Sequence, residues 1–123
     1  MYEVKIVTQF AAAHRLENFY GKCENLHGHN WKVEVFLVGN TLDGAGLLVD
    51  FGVVKARTNE VIQEIDHQYL NELAAFKDRN PSSENLACYL YERLESIFNR
   101  NGVKIKRVNV WESDTSCASY YQD

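Results

Sequence analysis

The chain has 123 residues, 46% of them hydrophobic and 24% charged, a composition typical of a globular domain rather than of a disordered chain. The formal net charge of −4 argues against nucleic-acid or membrane-surface binding as the main activity. No apolar run approaches the roughly 20 residues that span a bilayer. Three cysteines, an odd number, argue against a disulfide framework, so we expect one cytoplasmic domain over residues 1–123.

Two long strands are predicted in the first third of the chain. Between Tyr2 and His14 the apolar residues fall mainly on even positions, and this period of two predicts a strand. The polar, irregular sequence of residues 15–28 predicts a loop. A second strand is predicted from about His27 to Gly39, because its odd positions carry Trp31, Val33, Val35 and Leu37.

A first helix is predicted after the turn-forming segment 40–46, with Asp50 placed to cap its start. Helical spacing of its apolar residues indicates an amphipathic helix that ends near Asp66 and His67. The apolar residues with this spacing are Val54, Val61, Ile62 and Ile65.

A second helix is predicted after Pro81, with Ser82 or Ser83 as its N-cap. The pair Asn101-Gly102 is predicted to end this helix with a left-handed C-cap. Between these two ends, the helix carries a stripe of apolar residues suited to burial, namely Leu86, Leu90, Leu94, Ile97 and Phe98.

The last predicted strand runs from Val103 to Glu112 and contains an irregularity. Its apolar residues change from odd to even positions along the strand, so we predict a β-bulge near Lys106-Arg107. The tail of the chain can add one more strand. The order of elements then predicts an α+β fold, an antiparallel four-stranded sheet with two helices packed on one face.

Three histidines are placed to meet at one end of the two long strands. His27 and His29 point to the same side of their strand, and His14 ends the first strand. If the strands pair as antiparallel neighbours, three imidazoles converge and suit Zn²⁺, leaving a fourth position open for water or substrate. The alternative is that residues 27–29 form a polar turn and that His14 is an unrelated histidine.

Cys23 precedes His27 by four residues and has three interpretations. It could be a fourth zinc ligand that makes the site structural, a plain buried thiol, or a thiolate base or nucleophile beside the metal. The polar residues Lys22, Glu24 and Asn25 around it make a core position a poor fit and favour a functional role.

Two further positions carry groups suited to catalysis or binding. Asp66 and His67 are adjacent, so the carboxylate could orient the ring in a proton relay; alternatively, His67 is a histidine favoured by a helix C-terminus. Glu112 continues the apolar face of the last strand, where it either reaches solvent or anchors a ligand with a guanidine-like edge, as in arginine or a pterin.

Together these motifs resemble the family of 6-pyruvoyltetrahydropterin and 6-carboxytetrahydropterin synthases. The resemblance extends from about residue 2 to Tyr120 and includes all four histidines of the chain. The motifs occur in the order that the family shows: His14, Cys23, His27-Gly28-His29, Asp66-His67, the segment from Pro81 to Ala87, and Glu112.

The resemblance implies the tunnelling fold and a homo-oligomer, a hexamer of two stacked trimers. It also implies a zinc ion held by His14, His27 and His29, and Cys23 as the catalytic acid/base. Asp66 and His67 would form the proton relay of Cys23 across a subunit boundary. Glu112 would bind the amide and amino edge of the pterin, and Ser82 and Ser83 would border the pterin pocket where relatives often carry threonines.

The implied substrate is 7,8-dihydroneopterin triphosphate. Three residues separate Cys23 from His27, a short spacing similar to that of bacterial 6-carboxytetrahydropterin synthases, which serve queuosine and related 7-deazapurine synthesis. The implied reaction is therefore a zinc-dependent lyase step that releases acetaldehyde and triphosphate, with Arg15 and Lys22 as candidate triphosphate contacts. The alternatives are formation of 6-pyruvoyltetrahydropterin, or a non-catalytic zinc protein with Cys23 as the fourth ligand.

Overall fold

Two paired thirteen-residue strands form the centre of the sheet in this computed structural model, which describes residues 1–22 and 24–123. Strand β1 (Tyr2–His14) pairs antiparallel with β2 (His27–Gly39) along their whole lengths, from Tyr2 opposite Gly39 to His14 opposite His27. The bounds predicted for both strands are confirmed. This register brings the end of β1 beside the start of β2, at one end of the sheet.

The described residues form a sheet of five strands in the order β3-β1-β2-β4-β5. The three remaining strands are β3 (Gln68–Tyr69), β4 (Lys104–Ser113) and β5 (Ser116–Tyr120). The α+β class and the strand from the tail are confirmed, but the sheet has five strands rather than four and is not wholly antiparallel. The additional strand β3 runs parallel to β1 and has only two residues, too few to show a periodic sequence pattern.

Within the described part of the chain, two α-helices pack on the sheet. Helix α1 (Phe51–Ile62) is capped by Asp50, whose side chain accepts from the N–H of Val53, as predicted. The helix ends at Ile62 rather than near Asp66, because the chain continues in turns that still bury Ile65. Helical spacing at Ile65 therefore reflects burial in a turn and not a further helical residue.

Helix α2 (Ser83–Phe98) has Ser82 as its N-cap, which confirms one of the two predicted caps. The predicted left-handed C-cap is wrong, because Asn99 ends the helix with a negative φ angle. Asn101 and Gly102 do have positive φ angles, 55° and 80°, but they lie in a tight turn flanked by hydrogen bonds between Arg100 and Val103.

The core lies between the helices and one face of the sheet. Strand β4 contains the predicted bulge: Phe36 pairs with Arg107 and Leu37 with Ile105, so Lys106 is the extra residue. The core includes the inward side chains of the three long strands and both helices: Ile6, Phe10, Trp31, Val33, Val35, Leu37, Val54, Val61, Leu86, Leu90, Leu94, Ile105, Val108 and Val110. Within residues 1–22 and 24–123, no helix is long and apolar enough to cross a bilayer.

Candidate metal centre

Three histidine rings meet at the end of the sheet where β1 finishes and β2 begins. The ring centroids of His14 and His27 are 4.6 Å apart, those of His27 and His29 are 4.7 Å apart, and those of His14 and His29 are 5.2 Å apart. The predicted convergence follows from the register, because His14 lies opposite His27 and His29 is two residues further along the same face.

The indole of Trp31 forms the floor beneath these rings. Trp31 is fully buried, and its ring lies 4.9 Å from that of His14 and 5.2 Å from that of His29. Its Nε1 atom donates to the carbonyl oxygen of Ala12, at 3.3 Å, which fixes the indole against β1. A rigid apolar floor restricts solvent access to the cluster from the core side and limits the rotamers of the imidazoles.

Backbone carbonyls orient two of the three rings. The Nδ1 atom of His14 lies 2.8 Å from the carbonyl oxygen of Pro81, and that of His27 lies 2.8 Å from the carbonyl oxygen of Asn25. Because a carbonyl oxygen only accepts, Nδ1 must carry the proton in both rings, and in the neutral rings Nε2 is left with a lone pair. This second contact is the usual partner of a metal-binding histidine.

The two lone pairs face each other. The Nε2 atoms of His14 and His27 are 3.0 Å apart, and neutral rings with protonated Nδ1 atoms have no hydrogen to share between them. A cation bound to both nitrogens would replace this repulsion with attraction. Two nitrogens on a tetrahedral Zn²⁺ are about 3.3 Å apart, so the spacing fits that ion with little movement.

Glu112 completes the cluster from β4. Its Oε1 atom is 2.9 Å from Nε2 of His29, and the candidate ligand atoms of Glu112 and the three histidines all lie within 4.8 Å of one another. Burial lowers the pKa of His29, although the Glu112 carboxylate acts in the opposite direction. Desolvation therefore favours the neutral imidazole, which is the form that binds metals.

The segment from Pro81 to Asn85 lines the cluster where the chain enters α2. The Oγ atom of Ser82 accepts from the N–H of Asn85, at 3.1 Å, so this hydroxyl has a capping role. Ser83 differs, because its hydroxyl donates to Oε2 of Glu112, at 3.3 Å. The sequence pattern pointed to both serines but did not indicate that the Pro81 carbonyl orients His14.

Asp66 and His67 lie together at the outer edge of β1, outside the histidine cluster. The Oδ1 atom of Asp66 is 3.0 Å from Nδ1 of His67 and accepts from the N–H of Ala11, at 2.9 Å. The Ala11 N–H lowers the pKa of Asp66, with a smaller contribution from His67. Since α1 ends at Ile62, His67 is not in a last helical turn, and the helix-dipole interpretation is wrong.

The His67 ring is presented to solvent by an unusual backbone. Its side chain is 81% exposed, and its φ angle of 58° is uncommon for a residue with a side chain. A hydrogen bond from its N–H to the Ala11 carbonyl, at 2.6 Å, holds this conformation. A cleft of about 560 Å³ along the edge of β1 is lined by both His67 and His29.

Cys23, the predicted acid/base, lies outside the described residues. Of the candidate triphosphate contacts, Arg15 lies 3.6 Å from Glu17, and its backbone N–H donates to Asn71. Lys22 pairs through its backbone with Phe19 in an exposed turn. Neither contact brings the two cations together at the cluster.

Known proteins are similar to this chain in sequence and in fold. The chain matches the family model described as 6-pyruvoyl tetrahydropterin synthase over residues 3–123. It is 34% identical over 118 residues to a 6-carboxy-5,6,7,8-tetrahydropterin synthase of Synechocystis sp., covering 91% of this chain and 87% of that protein. It is 35% identical over 105 residues to a dihydroneopterin monophosphate aldolase of Pyrococcus furiosus, covering 85% and 84% of the two chains.

A solved structure extends the similarity to three dimensions. The 6-pyruvoyl tetrahydropterin synthase of Caenorhabditis elegans superposes with a TM-score of 0.87 at 28% identity, covering 99% of this chain and 96% of that one. The three relatives have comparable similarity to this chain and three different named activities. Overall identity therefore does not select one product, and the side chains of the site must be considered individually.

Proposed function

Because the chain belongs to the 6-pyruvoyl tetrahydropterin synthase family, we propose that it is a 6-carboxy-5,6,7,8-tetrahydropterin synthase. In this proposal it converts 7,8-dihydroneopterin triphosphate to the carboxypterin and releases acetaldehyde and triphosphate, as a step of queuosine or related 7-deazapurine synthesis in the cytoplasm. The tunnelling fold expected from the sequence is confirmed by the similarity to the nematode structure. Residues 1–123 would form a single domain of that fold.

The observation that carries the proposal is the convergence of three histidines whose candidate ligand atoms lie within 4.8 Å of one another. His14, His27 and His29 would hold Zn²⁺, since two of the rings are fixed with Nδ1 protonated and Nε2 available. A bound zinc would supply a Lewis acid for oxyanion character on the substrate.

The relay proposed for Asp66 and His67 has a clear physical basis. The Asp66 carboxylate is positioned to keep Nδ1 of His67 protonated and to stabilise the ring when Nε2 gains a proton. The exposed ring can therefore accept a proton from a group outside its own strand edge. In the proposal that group is Cys23, whose thiolate removes the proton that starts triphosphate elimination.

The exposure of His67 supports a site shared between subunits. A proton relay that is 81% exposed in one chain needs a second surface to exclude water from it. We therefore retain the proposal of a homo-oligomer, a hexamer of two stacked trimers, in which a neighbouring chain covers this edge. Size-exclusion chromatography with light scattering would test it, and a monomer at working concentration would contradict it.

Two alternatives differ in chemistry. One is 6-pyruvoyl tetrahydropterin synthesis, the activity named for the nematode relative, in which the side-chain carbons are retained. The other is a non-catalytic zinc protein in which Cys23 is the fourth ligand. The short spacing between Cys23 and His27 favours the carboxypterin product over the first, and the exposed Asp66–His67 pair favours an enzyme over the second.

The decisive experiment is to incubate the zinc-loaded protein with 7,8-dihydroneopterin triphosphate. We expect free acetaldehyde, detectable by coupled reduction, and 6-carboxytetrahydropterin by mass spectrometry. A pyruvoyl product without acetaldehyde would establish the first alternative. Full zinc occupancy without any turnover would support the second.

Cys23→Ala provides the matched test of the catalytic thiol. We expect this variant to keep its zinc and to lose turnover by roughly 10²–10⁴-fold, the usual contribution of a positioned acid/base. Cys88→Ala is the control, because Cys88 donates to Glu92 on α2 and burial raises the pKa of its thiol. Unchanged turnover in Cys23→Ala would exclude a catalytic role for this residue.

A further inference from the structure

We propose that Glu112 is the fourth metal ligand in the resting protein, and that a pterin bound at the site displaces it. The second part rests on the proposed function, whereas the first depends only on the residues of the cluster. The family resemblance implies that Glu112 binds the pterin. The structure places its carboxylate among the histidine nitrogens instead.

The contact between Glu112 and His29 indicates a shared cation. Oε1 of Glu112 and Nε2 of His29 are 2.9 Å apart, yet Nε2 is buried and makes no hydrogen bond of acceptable geometry. An N–H directed at a carboxylate would satisfy both groups at this distance. Without that alignment, Nε2 of His29 and Oε1 of Glu112 are placed as two neighbouring ligands of one ion. Two such ligand atoms on a tetrahedral Zn²⁺ are about 3.3 Å apart.

Charge also favours the carboxylate in this position. Three neutral imidazoles leave both positive charges of a divalent ion uncompensated beside the buried rings of His14 and Trp31. An anionic ligand cancels one of these charges where water is partly excluded, and this reduces the cost of desolvating the ion. Within the described ranges, Glu112 is the only carboxylate in the cluster.

Ser83 positions Glu112 for binding through a single oxygen. Its hydroxyl donates to Oε2, at 3.3 Å, so Oε1 is the atom directed to the histidines. Ser83 is the first residue of α2 and is 9% exposed, so the carboxylate also lies at the positive end of that helix dipole. These contacts hold the side chain near the metal when no ligand is bound.

Glu112 cannot bind the metal and the pterin at the same time. A carboxylate that accepts from the amide and amino edge of a pterin cannot keep Oε1 on the metal in the same geometry. Arrival of the pterin would therefore free a coordination position at the moment when a substrate oxygen is close enough to take it. Glu112 would thus make opening of the metal site depend on recognition of the pterin ring.

The test uses Co²⁺ as a spectroscopic substitute in the full-length protein, with affinity measured by competition against a chromophoric chelator. We expect Glu112→Gln and Glu112→Ala to lower Co²⁺ affinity at least about tenfold and to change the visible d–d absorption bands. Glu24→Gln is the matched control, because Glu24 interacts electrostatically with His29 but is outside the ligand cluster. Its affinity should change by no more than about fivefold.

Substitution of Ser83 is an independent test, because it leaves Glu112 and the three histidines unchanged. Ser83→Ala should lower Co²⁺ affinity, and Ser83→Thr, which keeps the hydroxyl, should restore it. X-ray absorption of the zinc-loaded wild-type protein needs no variant. It should show only nitrogen and oxygen neighbours near 2.0 Å, whereas a sulfur neighbour near 2.3 Å would overturn the proposal by making Cys23 the fourth ligand.

Neopterin, which cannot undergo the reaction of the dihydropterin triphosphate, tests displacement. At saturation, verified by calorimetry, it should change the Co²⁺ bands of the wild-type protein but not those of Glu112→Ala. If saturating neopterin leaves the Co²⁺ bands of the wild-type protein unchanged, Glu112 is not displaced by the pterin. If Glu112→Ala has the same bands and the same Co²⁺ affinity as the wild-type protein, Glu112 is not a metal ligand. Failure of neopterin to bind would contradict both the proposed function and the displacement of Glu112. The Co²⁺ affinities of the variants would still decide whether Glu112 is a metal ligand.

Discussion

The histidine cluster and the Asp66–His67 pair are built in opposite ways. In the cluster, His14 is 2% exposed, its ring is held by the Pro81 carbonyl, and Trp31 closes the site from below. In the pair, the His67 side chain is 81% exposed and contacts the Asp66 carboxylate, while its backbone N–H bonds to the Ala11 carbonyl. The comparison teaches that one chain can preassemble a candidate metal site, whereas the proposed proton relay requires a second surface.

The largest expected effect comes from removing a ring of the preassembled site. His29→Ala should lower zinc affinity at least about 100-fold and abolish turnover, because the variant loses one of the three proposed histidine ligands. Zinc content by mass spectrometry and circular dichroism provide the measurements. Retention of one zinc per chain would show that His29 is not a ligand.

His67→Ala should separate the two regions. We expect full zinc content and turnover reduced by roughly 10²–10⁴-fold, since the role proposed for His67 is proton transfer and the residue lies outside the ligand cluster. Stability should change little, because the side chain is almost wholly exposed. Loss of zinc in this variant would mean that the two regions are coupled through the cleft they share.

Trp31→Phe tests whether the floor of the cluster is as rigid as its burial indicates. The substitution removes the hydrogen bond to the Ala12 carbonyl and leaves a smaller ring beneath His14 and His29. We expect the free energy of unfolding to fall by about 1–3 kcal/mol in urea titrations of the metal-free protein. An unchanged unfolding midpoint would indicate that the indole is not needed for packing.

The smallest expected effect is the loss, at acidic pH, of the contribution of Asp66 to the free energy of unfolding. Its pKa is lowered in the folded state, so its contribution to stability is present above the unfolded value of about 3.9 and is lost as pH falls through the folded value. The stability difference between wild type and Asp66→Asn should therefore shrink as the pH falls from about 5 to 3. A difference that is constant over this range would contradict the assignment.

Much of the fold and of the candidate ligand set was predictable, because side chains alternate between the two faces of a strand and this alternation is visible in the sequence. A period of two placed His27 and His29 on one face, and the equal lengths of β1 and β2 brought His14 opposite His27. The bulge at Lys106 was equally visible, because an extra residue shifts the alternation of apolar side chains.

Other features depend on contacts that a single sequence does not encode. Strand β3 has two residues and exists because the chain after α1 returns along the edge of β1. The carbonyls of Asn25 and Pro81 orient rings without any side-chain signature. The approach of Glu112 to His29 joins residues on different strands, and residue spacing alone cannot give that distance.

The single extra residue in β4 governs which side of the sheet the acidic ligand candidate occupies. Lys106 lies six positions before Glu112, and every side chain beyond it owes its orientation to that insertion. If Lys106 paired with Phe36 and the strand had no bulge, each following residue would shift by one position, so that Glu112 would face away from the imidazoles and Trp111 would face them. A β-bulge six residues away thus determines which face of the sheet carries Glu112 and whether its carboxylate can reach the histidine cluster.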